Sequence, residues 1–379
     1  MKNSRGCTGI FHCVNLSINV IQTSLHETYM SRCLDLAMLG LGKTSPNPLV
    51  GAVIVHENKI IGEGYHHVSG GPHAEVIAIN AVQNKDLLKH STLYVNLEPC
   101  SHVGKTPPCT NLIIRSGIPE VVIGISDPNP LVAGNGIGIL QNAGIKVHMH
   151  VMKDRAVELN RRFLTFHVHR RPYIILKWAQ TSDGFIDVLR TKDAAVQPTW
   201  ISNEISRMIV HKWRSEEQAI LVGTHTAMLD NPRLNVREWT GNSPLRMVID
   251  RNLQLPRSHH LFDDSMPTVV FNGIQDLTSG NTRFVKLSFN YNLVSEITGF
   301  LFKEKILSLI VEGGYKTFTG FIESGLWDEA RVFAGNKIFG KGVPAPVIKE
   351  PPPEIYSIRE DRLLIFNNFR LREIYTYRD

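Results

Sequence analysis

The sequence predicts two α/β domains in tandem, and three observations carry that expectation. A chain of 379 residues is too long for one ordinary core and suits two. Short apolar runs bounded by turn residues alternate with stretches of helical periodicity along most of its length, the pattern of layered sheets with crossover helices. The motifs also divide around the basic run His167–Pro172, which reads as a link between two halves.

From His26 the pattern is regular. Met30, Cys33, Leu36, Ala37 and Leu41 recur at helical spacing, and Gly40 and Gly42 end that helix. Leu49–Val55 and Ile60–Tyr65 read as strands joined at Glu57-Asn58. A helix over Ala74–Val82, a strand over Thr92–Leu97 and a helix over Thr110–Ser116, after Pro107-Pro108, come next. Val121–Ile125, Gly136–Asn142 and Ile145–His150 add strand, helix and strand, ending one compact unit near residue 150. Arg155–His167 reads as a single helix leading to the link. The second half opens on an apolar strand, Tyr173–Ala179. Further strands are expected over Ala219–Val222, Leu245–Ile249, Thr268–Phe271, Leu307–Val311, Ala330–Phe333 and Phe369–Tyr375, with helices over Asn203–Trp213 and Phe318–Ser324. There is no internal repeat, and Pro351–Pro353 reads as a short rigid loop. Residues 1–25 read as an unstructured extension, or as sequence upstream of a start nearer Met30. Lys2 and Arg5 precede the partly apolar stretch Ile10–Ile21. His12, Asn15, Ser17 and Asn19 interrupt it and no small-residue cleavage site follows, which weighs against a signal peptide.

Composition narrows the class. A hydrophobic fraction of 42% and a charged fraction of 20% are those of a globular protein. No apolar run reaches the roughly 20 residues that a membrane-spanning helix needs. The net charge of +6 is carried by scattered Lys and Arg, which points away from nucleic acid and suits a phosphorylated small substrate equally well. Five cysteines form an odd, sparse set, so a disulfide framework is not expected and the reducing cytosol is.

The strongest chemical signal is Pro72-His73-Ala74-Glu75, followed by Glu98-Pro99-Cys100 and Cys109. One imidazole and two thiolates would hold zinc and leave its fourth tetrahedral position open to water, the arrangement of a catalytic site. Glu75, two residues from His73, is placed to take a proton from that water and hand it to a departing amine, as in nucleobase deaminases. Taken singly, each ligand has a plainer reading: a His before a helix is usually a cap or surface group, and Cys is often a small core residue. Cys100 and Cys109 could also belong to a structural zinc site, although such a site has no use for Glu75. The common nucleobase-deaminase spacing is Cys-x-x-Cys. Here eight residues, Ser101–Pro108, lie between the cysteines, and among them His102 and Lys105 could reach an anionic group of the substrate. In the second half no Gly-x-Gly-x-x-Gly follows a strand. Instead Leu307–Val311 runs into Glu312-Gly313-Gly314, where glycines and a helix start let backbone N–H groups approach a phosphate.

These residues closely resemble the bifunctional deaminase–reductases of riboflavin biosynthesis. The resemblance is carried by Thr44–Gly51, Gly64-Tyr65-His66, His73-Ala74-Glu75, and Glu98 through His102 to Thr106–Cys109, and extends over Asp127–Pro130 and Gly134–Gly136. It continues through Leu176-Lys177, Asp183-Gly184, Trp200–Ser202, Arg214, Asp230–Leu234, Arg237 and Glu312–Gly314, and departs from the family pattern at Ser182, Asn235 and around Gly340–Pro346. It implies a cytidine-deaminase-like three-layer domain over 26–168, zinc-dependent, and a dihydrofolate-reductase-like domain over 171–379, NADPH-dependent. The implied reactions are removal of the ring amino group of a diaminopyrimidinone bearing a ribosylamino phosphate, then reduction of its ribosyl group to ribityl. By the same resemblance Asn47 contacts substrate beside the zinc, and Ala179, Trp200, Thr226 and Asp230 line the NADPH site. Gly314, Tyr315, Lys316, Thr317, Phe318, Thr319 and Gly320 form its cofactor segment. Thr199, Arg214, Leu234, Arg237 and Glu312 touch substrate, with Lys177 stabilising charge at the reacting sugar. Arg214 and Arg237, with Asp230, are the polar groups expected at the sugar phosphate, which favours the Arg fork. A homodimer or homotetramer is implied, with no nucleic-acid or membrane partner. Competing readings are a deaminase of a nucleic-acid base, for which no basic groove with aromatics is evident, and a non-catalytic protein with structural zinc.

Overall fold

Glu57 and Asn58 both take left-handed backbone angles, φ 46° and 61°, so a two-residue turn folds β1 (Gly51–His56) back onto β2 (Lys59–Tyr65). The computed structural model describes residues 25–101, 107–128, 134–190, 198–290, 292–349 and 354–368. With β3 (Thr92–Leu97), β4 (Glu120–Ile125) and β5 (Lys146–His148) the hairpin builds a five-stranded sheet in the order β2-β1-β3-β4-β5. β1 runs antiparallel to β2 and β3, and β3, β4 and β5 are parallel. Both faces are covered. Val53 and Val55 pack with Met30 and Cys33 of α1 (Leu25–Met38) on one side. Ala52 and Ile54 pack on the other with α2 (Ala74–Ala81), α3 (Cys109–Arg115) and α4 (Asn135–Asn142). The alternation of one strand between two cores is what makes three layers.

The single helix expected over Arg155–His167 is two, α5 (Lys153–Leu159) and α6 (Arg161–His169). The break falls at Asn160, whose amide is occupied elsewhere: its Oδ1 accepts from Leu49 N–H and its Nδ2 donates to the Leu49 carbonyl, both at 2.9 Å. The strand expected to reach His150 stops at His148, and His150 turns to φ 67°.

The second half contains β6 (Tyr173–Gln180), β7 (Phe185–Asp187), α7 (Glu204–Glu216), β8 (Ala219–Gly223), α8 (Thr224–Asp230), β9 (Leu245–Ile249), β10 (Thr268–Asn272), β11 (Leu277–Ser279) and β12 (Thr282–Lys286). It continues with α9 (Leu293–Lys303), β13 (Ser308–Val311), α10 (Tyr315–Ser324), β14 (Glu329–Ala334), β15 (Val343–Pro344), β16 (Glu354–Ile358) and β17 (Asp361–Asn367). Ten of these strands form one sheet in the order β11-β12-β10-β9-β8-β13-β6-β14-β17-β16, and β15 pairs with β7. From β12 to β14 neighbours are parallel, and β11, β16 and β17 add antiparallel edges. The edge hairpin β16–β17 and helix α9 are absent from the sequence expectation. The expected strand Phe369–Tyr375, the Pro351–Pro353 loop and the extension up to Ser24 lie outside the described residues. Among the described residues no helix is long and apolar enough to cross a membrane.

The run His167–Pro172 is not a free link. His167 and His169 belong to α6, and the buried Arg171 donates to both carboxylate oxygens of Asp328 at 2.6 and 2.8 Å. On the same helix Arg162 Nε donates to Glu217 Oε2 at 2.8 Å and its Nη2 to Oε1, and Arg161 lies 3.2 Å from Glu329. Burial pushes the Glu217 carboxyl up, but the charge and hydrogen bonds of Arg162 outweigh it and hold the group below the usual carboxylate range. Because its folded pKa is depressed, the stability it contributes is present above its unfolded value of about 4.3 and is lost as pH falls through the folded value. Glu217→Gln, which strands a buried guanidinium, is expected to cost about 3–5 kcal/mol in urea unfolding at neutral pH. The same variant should lose less stability than the parent when the pH is lowered below about 4.

Candidate active sites

His73 caps the N-terminus of α2, Cys109 is the first residue of α3, and Cys100 follows β3, so three chain segments deliver one donor set. One ligand atom from each lies within 4.8 Å of the others, with His73 Nδ1 3.2 Å from Cys109 Sγ and 3.5 Å from Cys100 Sγ. The Cys109 N–H donates to Cys100 Sγ at 3.3 Å, an interaction that favours thiolate at a helix start. Hydrogen bonds from Cys109 and His73 draw the Cys100 thiol down, while the neighbouring Cys100 pushes Cys109 up. Two soft thiolates and an imidazole converging from separate elements are a donor set that fits zinc. Glu75, in the first turn of α2, is 3% exposed and lines a cavity of about 370 Å³ beside His73 and Cys100. Burial, then the charge of Cys100, raises its proton affinity.

Asn47 lines the same cavity, and its place is set by other amides. Asn96 and Asn160, both buried, grip the segment just after it. Asn96 Oδ1 accepts from Gly51 N–H at 2.8 Å, and its Nδ2 donates to the Leu49 carbonyl at 2.9 Å, beside the bonds from Asn160. The Pro72 carbonyl can only accept, so His66 Nδ1 donates to it at 2.9 Å. The neutral ring then presents Nε2 as acceptor to Asn47 Nδ2 at 3.0 Å, which orients the Asn47 amide. Glu98 is buried and accepts from the backbone N–H groups of Asp127 (3.1 Å), Gly134 (3.1 Å), Gly136 (2.9 Å) and Ile137 (3.3 Å). A Cβ at Gly136 would lie 2.3 Å from the Pro99 carbonyl, so only glycine lets α4 approach this closely. His102 and Lys105 lie outside the described residues.

A second cavity of about 1070 Å³ opens in the other half. Ala179, Trp200, Thr226, Asp230 and the run Gly314–Phe318 line it, as do Lys177, Thr199, Arg214, Leu234, Arg237 and Glu312. Thr319 and Gly320 do not, because α10 turns them away beyond its first turn. Gly313 has φ 150°, and a Cβ on Gly313 or Gly314 would come within 2.8 Å of Thr226 Oγ1. This bare backbone at a helix start fits the phosphates of a dinucleotide.

The charges here are more tightly committed than the sequence suggested. Arg214 is not free for phosphate: Nε and Nη2 each donate to Glu312 at 2.8 Å, because a buried carboxylate needs a partner. Lys177 Nζ lies 3.5 Å from the same carboxylate. Burial pushes Glu312 up, but Arg214 and Lys177 outweigh it and hold the group at about 2, while burial lowers Lys177. Arg237 keeps 42% side-chain exposure, with Glu238 only at 3.7 Å. Arg190 lies 3.3 Å from Asp230 and also bonds Asp187 and Thr199. Burial still lifts Asp230 to about 6. Sequence reasoning missed Asp187, Arg190, His211, Glu98, Asp127 and Lys305 as cavity residues, and assigned no role to His66. His211, one turn before Arg214 on α7, was available from helical spacing. Arg190 and Lys305 had no local signal.

Comparison with known proteins agrees with both halves. Residues 172–377 match the family model described as the RibD C-terminal domain, and residues 23–125 match the cytidine and deoxycytidylate deaminase zinc-binding region. The chain is 42% identical over 329 residues to the riboflavin biosynthesis protein RibD of Aquifex aeolicus, covering 84% of this chain and 89% of that one. It is 36% identical over 337 residues to RibD of Escherichia coli, covering 83% and 88%. Among solved structures it is similar to a diaminohydroxyphosphoribosylaminopyrimidine deaminase/5-amino-6-(5-phosphoribosylamino)uracil reductase from Thermotoga maritima, with TM-score 0.81, 36% identity and coverage of 90% and 98%. RibD of Acinetobacter baumannii is also similar, with TM-score 0.80, 29% identity and the same coverage.

Replacing one thiolate by a hydroxyl tests the donor set across its long loop. Cys109→Ser is expected to lower zinc content and deamination together. Full zinc occupancy at unchanged affinity, measured by metal analysis and chelator competition, would point to a different third ligand.

Proposed function

The chain belongs to the RibD family of riboflavin-biosynthesis proteins, and from that premise we propose how its two cavities divide the work. It is a bifunctional enzyme, a zinc-dependent deaminase and an NADPH-dependent reductase. In our reading the boundary falls between residues 168 and 171. The first cavity takes 2,5-diamino-6-(ribosylamino)-pyrimidinone 5'-phosphate and releases its ring amine as ammonia. The second reduces the ribosyl group of the product to ribityl.

The observation that carries the first assignment is a buried carboxylate, Glu75, in one cavity with His73 and Cys100. His73, Cys100 and Cys109 would hold the zinc, which as a Lewis acid brings the pKa of a water to about 7. Glu75 takes a proton from the attacking water and returns it to the nitrogen as that leaves. Asn47, oriented by His66, holds the pyrimidine ring, and burial keeps bulk water from the exchange. In the second cavity Gly314 and the start of α10 would hold NADPH, which supplies a hydride to the sugar carbon. Arg237, the less committed guanidinium, meets the sugar phosphate. Lys177, paired with Glu312, stabilises charge at the reacting carbon. We place the enzyme in the cytoplasm, where thiols such as Cys100 and Cys109 stay reduced, and expect a homodimer or homotetramer with no nucleic-acid partner.

Incubating the purified protein with the diaminopyrimidinone substrate, with and without NADPH, tests the whole reading. Ammonia release in both cases and NADPH consumption only after it are expected. Glu75→Gln should keep its zinc and lose deamination by several orders of magnitude, since both proton movements depend on it. Near-normal turnover in the metal-loaded variant would end the assignment. The two reactions should also separate. Arg237→Ala should weaken reduction of the supplied deaminated intermediate by about ten- to a hundred-fold while ammonia release proceeds. Chelation of zinc should do the reverse in a still-folded protein.

A further inference from the structure

Between α8 and β9 the chain runs without helix or strand over residues 231–244, and Asn231, Leu234 and Arg237 on this stretch line the larger cavity. A segment of this kind owes its shape to hydrogen bonds from elsewhere. Helix α7 supplies two of them. Arg214 Nη1 donates to the Asn235 carbonyl at 3.1 Å, and one turn earlier His211 Nδ1 accepts from the Arg237 N–H at 3.3 Å. A spacing of three residues puts both side chains on one face of the helix. Val236 N–H, between the two held residues, donates to Ser243 Oγ at 3.0 Å. Leu234, buried and at φ 54°, turns the chain just before them.

A backbone N–H can only donate, so the buried His211 ring accepts through Nδ1 and carries its proton on Nε2, 3.7 Å from Glu238 Oε1. Burial, then the cations Arg214 and Arg237, lower the His211 imidazole to about 4 and keep it neutral. The helix that carries it is anchored, since Arg214 grips Glu312 through two hydrogen bonds of 2.8 Å. The Arg237 side chain is held more loosely. Its contacts are Asn235 Oδ1 at 3.3 Å, on the same turn, and Glu238 at 3.7 Å. Where such a guanidinium can reach is set by the main chain beneath it. We infer that His211 is a positioning residue for the reduction: it holds the Arg237 main chain so that the guanidinium meets the sugar phosphate while the reacting carbon lies by Lys177 and Glu312. This rests on the reductase reading above, in which Arg237 binds that phosphate. One face of α7 then sets both ends of the substrate, His211 the phosphate end and Arg214, through Glu312, the reacting end.

The test is steady-state NADPH consumption by the full-length protein, with the deaminated intermediate supplied directly and its phosphate-free counterpart for comparison. His211→Phe keeps the ring and removes both nitrogens. It is expected to raise KM for the phosphorylated intermediate about fivefold with kcat nearly unchanged, the loss of one hydrogen bond. KM for the phosphate-free compound should be the same in parent and variant. His211→Asn, whose Oδ1 stands near the place of Nδ1 and accepts, should restore the parent KM. In an Arg237→Ala background His211→Phe should add little, because it acts through that guanidinium. An unchanged KM in His211→Phe would overturn the proposal. So would an equal rise for the phosphate-free compound, or full additivity with Arg237→Ala, since either makes His211 only a structural residue. Normal ammonia release reports that the variant is folded; if His211→Phe does not fold, His211→Leu puts the same question. A parent-like KM in Arg237→Ala would instead overturn the assignment of Arg237, and the proposal with it.

Discussion

Charge buried between the two sheets is the constraint on which the rest of this structure depends. Glu217 is buried and the Arg162 side chain nearly so, and neither ion would be tolerated without the other. Glu329 gathers Arg161, Arg331 and the Tyr173 hydroxyl, and the adjacent Asp328 holds Arg171 and the Ile174 N–H. Each pairing is satisfied in one geometry only, because an apolar contact tolerates sliding and a bidentate ion pair does not. α6 is thereby fixed against β6 and β14, and with it Phe163, Phe166 and His167, which line the cavity of His73, Glu75 and Cys100. The junction and the first site are thus built by the same helix.

Within the first site, side chains stand in for backbone. The segment carrying Asn47 has irregular main chain, and its N–H and carbonyl groups are satisfied by the amides of Asn96 and Asn160. Glu98 does the same for the stretch from Asp127 to Ile137, collecting four N–H groups on one carboxylate. Such fully satisfied buried networks are rigid, which suits a site where His73, Cys100, Cys109 and the Glu75 carboxylate converge.

The second cavity is organised differently. Arg214, Lys177 and Glu312 neutralise one another, and Arg190 bridges Asp187 and Asp230. These clusters cost desolvation that their mutual attraction offsets only in place. Prepaired charge of this kind leaves few groups free to move, and the Arg237 side chain keeps more exposure than those of Arg214, Lys177 and Arg190.

The convergence of His73, Cys100 and Cys109, with Glu75 beside them, and the alternation of strands with helices were legible in the sequence. Period-two and helical periodicity, turn residues and a short motif are all local, and Glu57-Asn58 or His73-Ala74-Glu75 carry their meaning within a few residues. The strand-to-helix turn at Gly313-Gly314 was legible for the same reason. What the sequence could not determine lies in partners distant along the chain. That Asn160 breaks a helix depends on Leu49, and that Arg214 is committed to Glu312 depends on a residue 98 positions away. The basic run His167–Pro172 looked like a solvated link because the carboxylate partner of Arg171, Asp328, lies 157 positions away beside β14. Lys305, in a turn between α9 and β13, enters the first cavity only because tertiary packing lays the end of α9 on α6. Local chemistry was written in the sequence; which charges meet, and across which wall, was decided by the burial of two sheets against one helix.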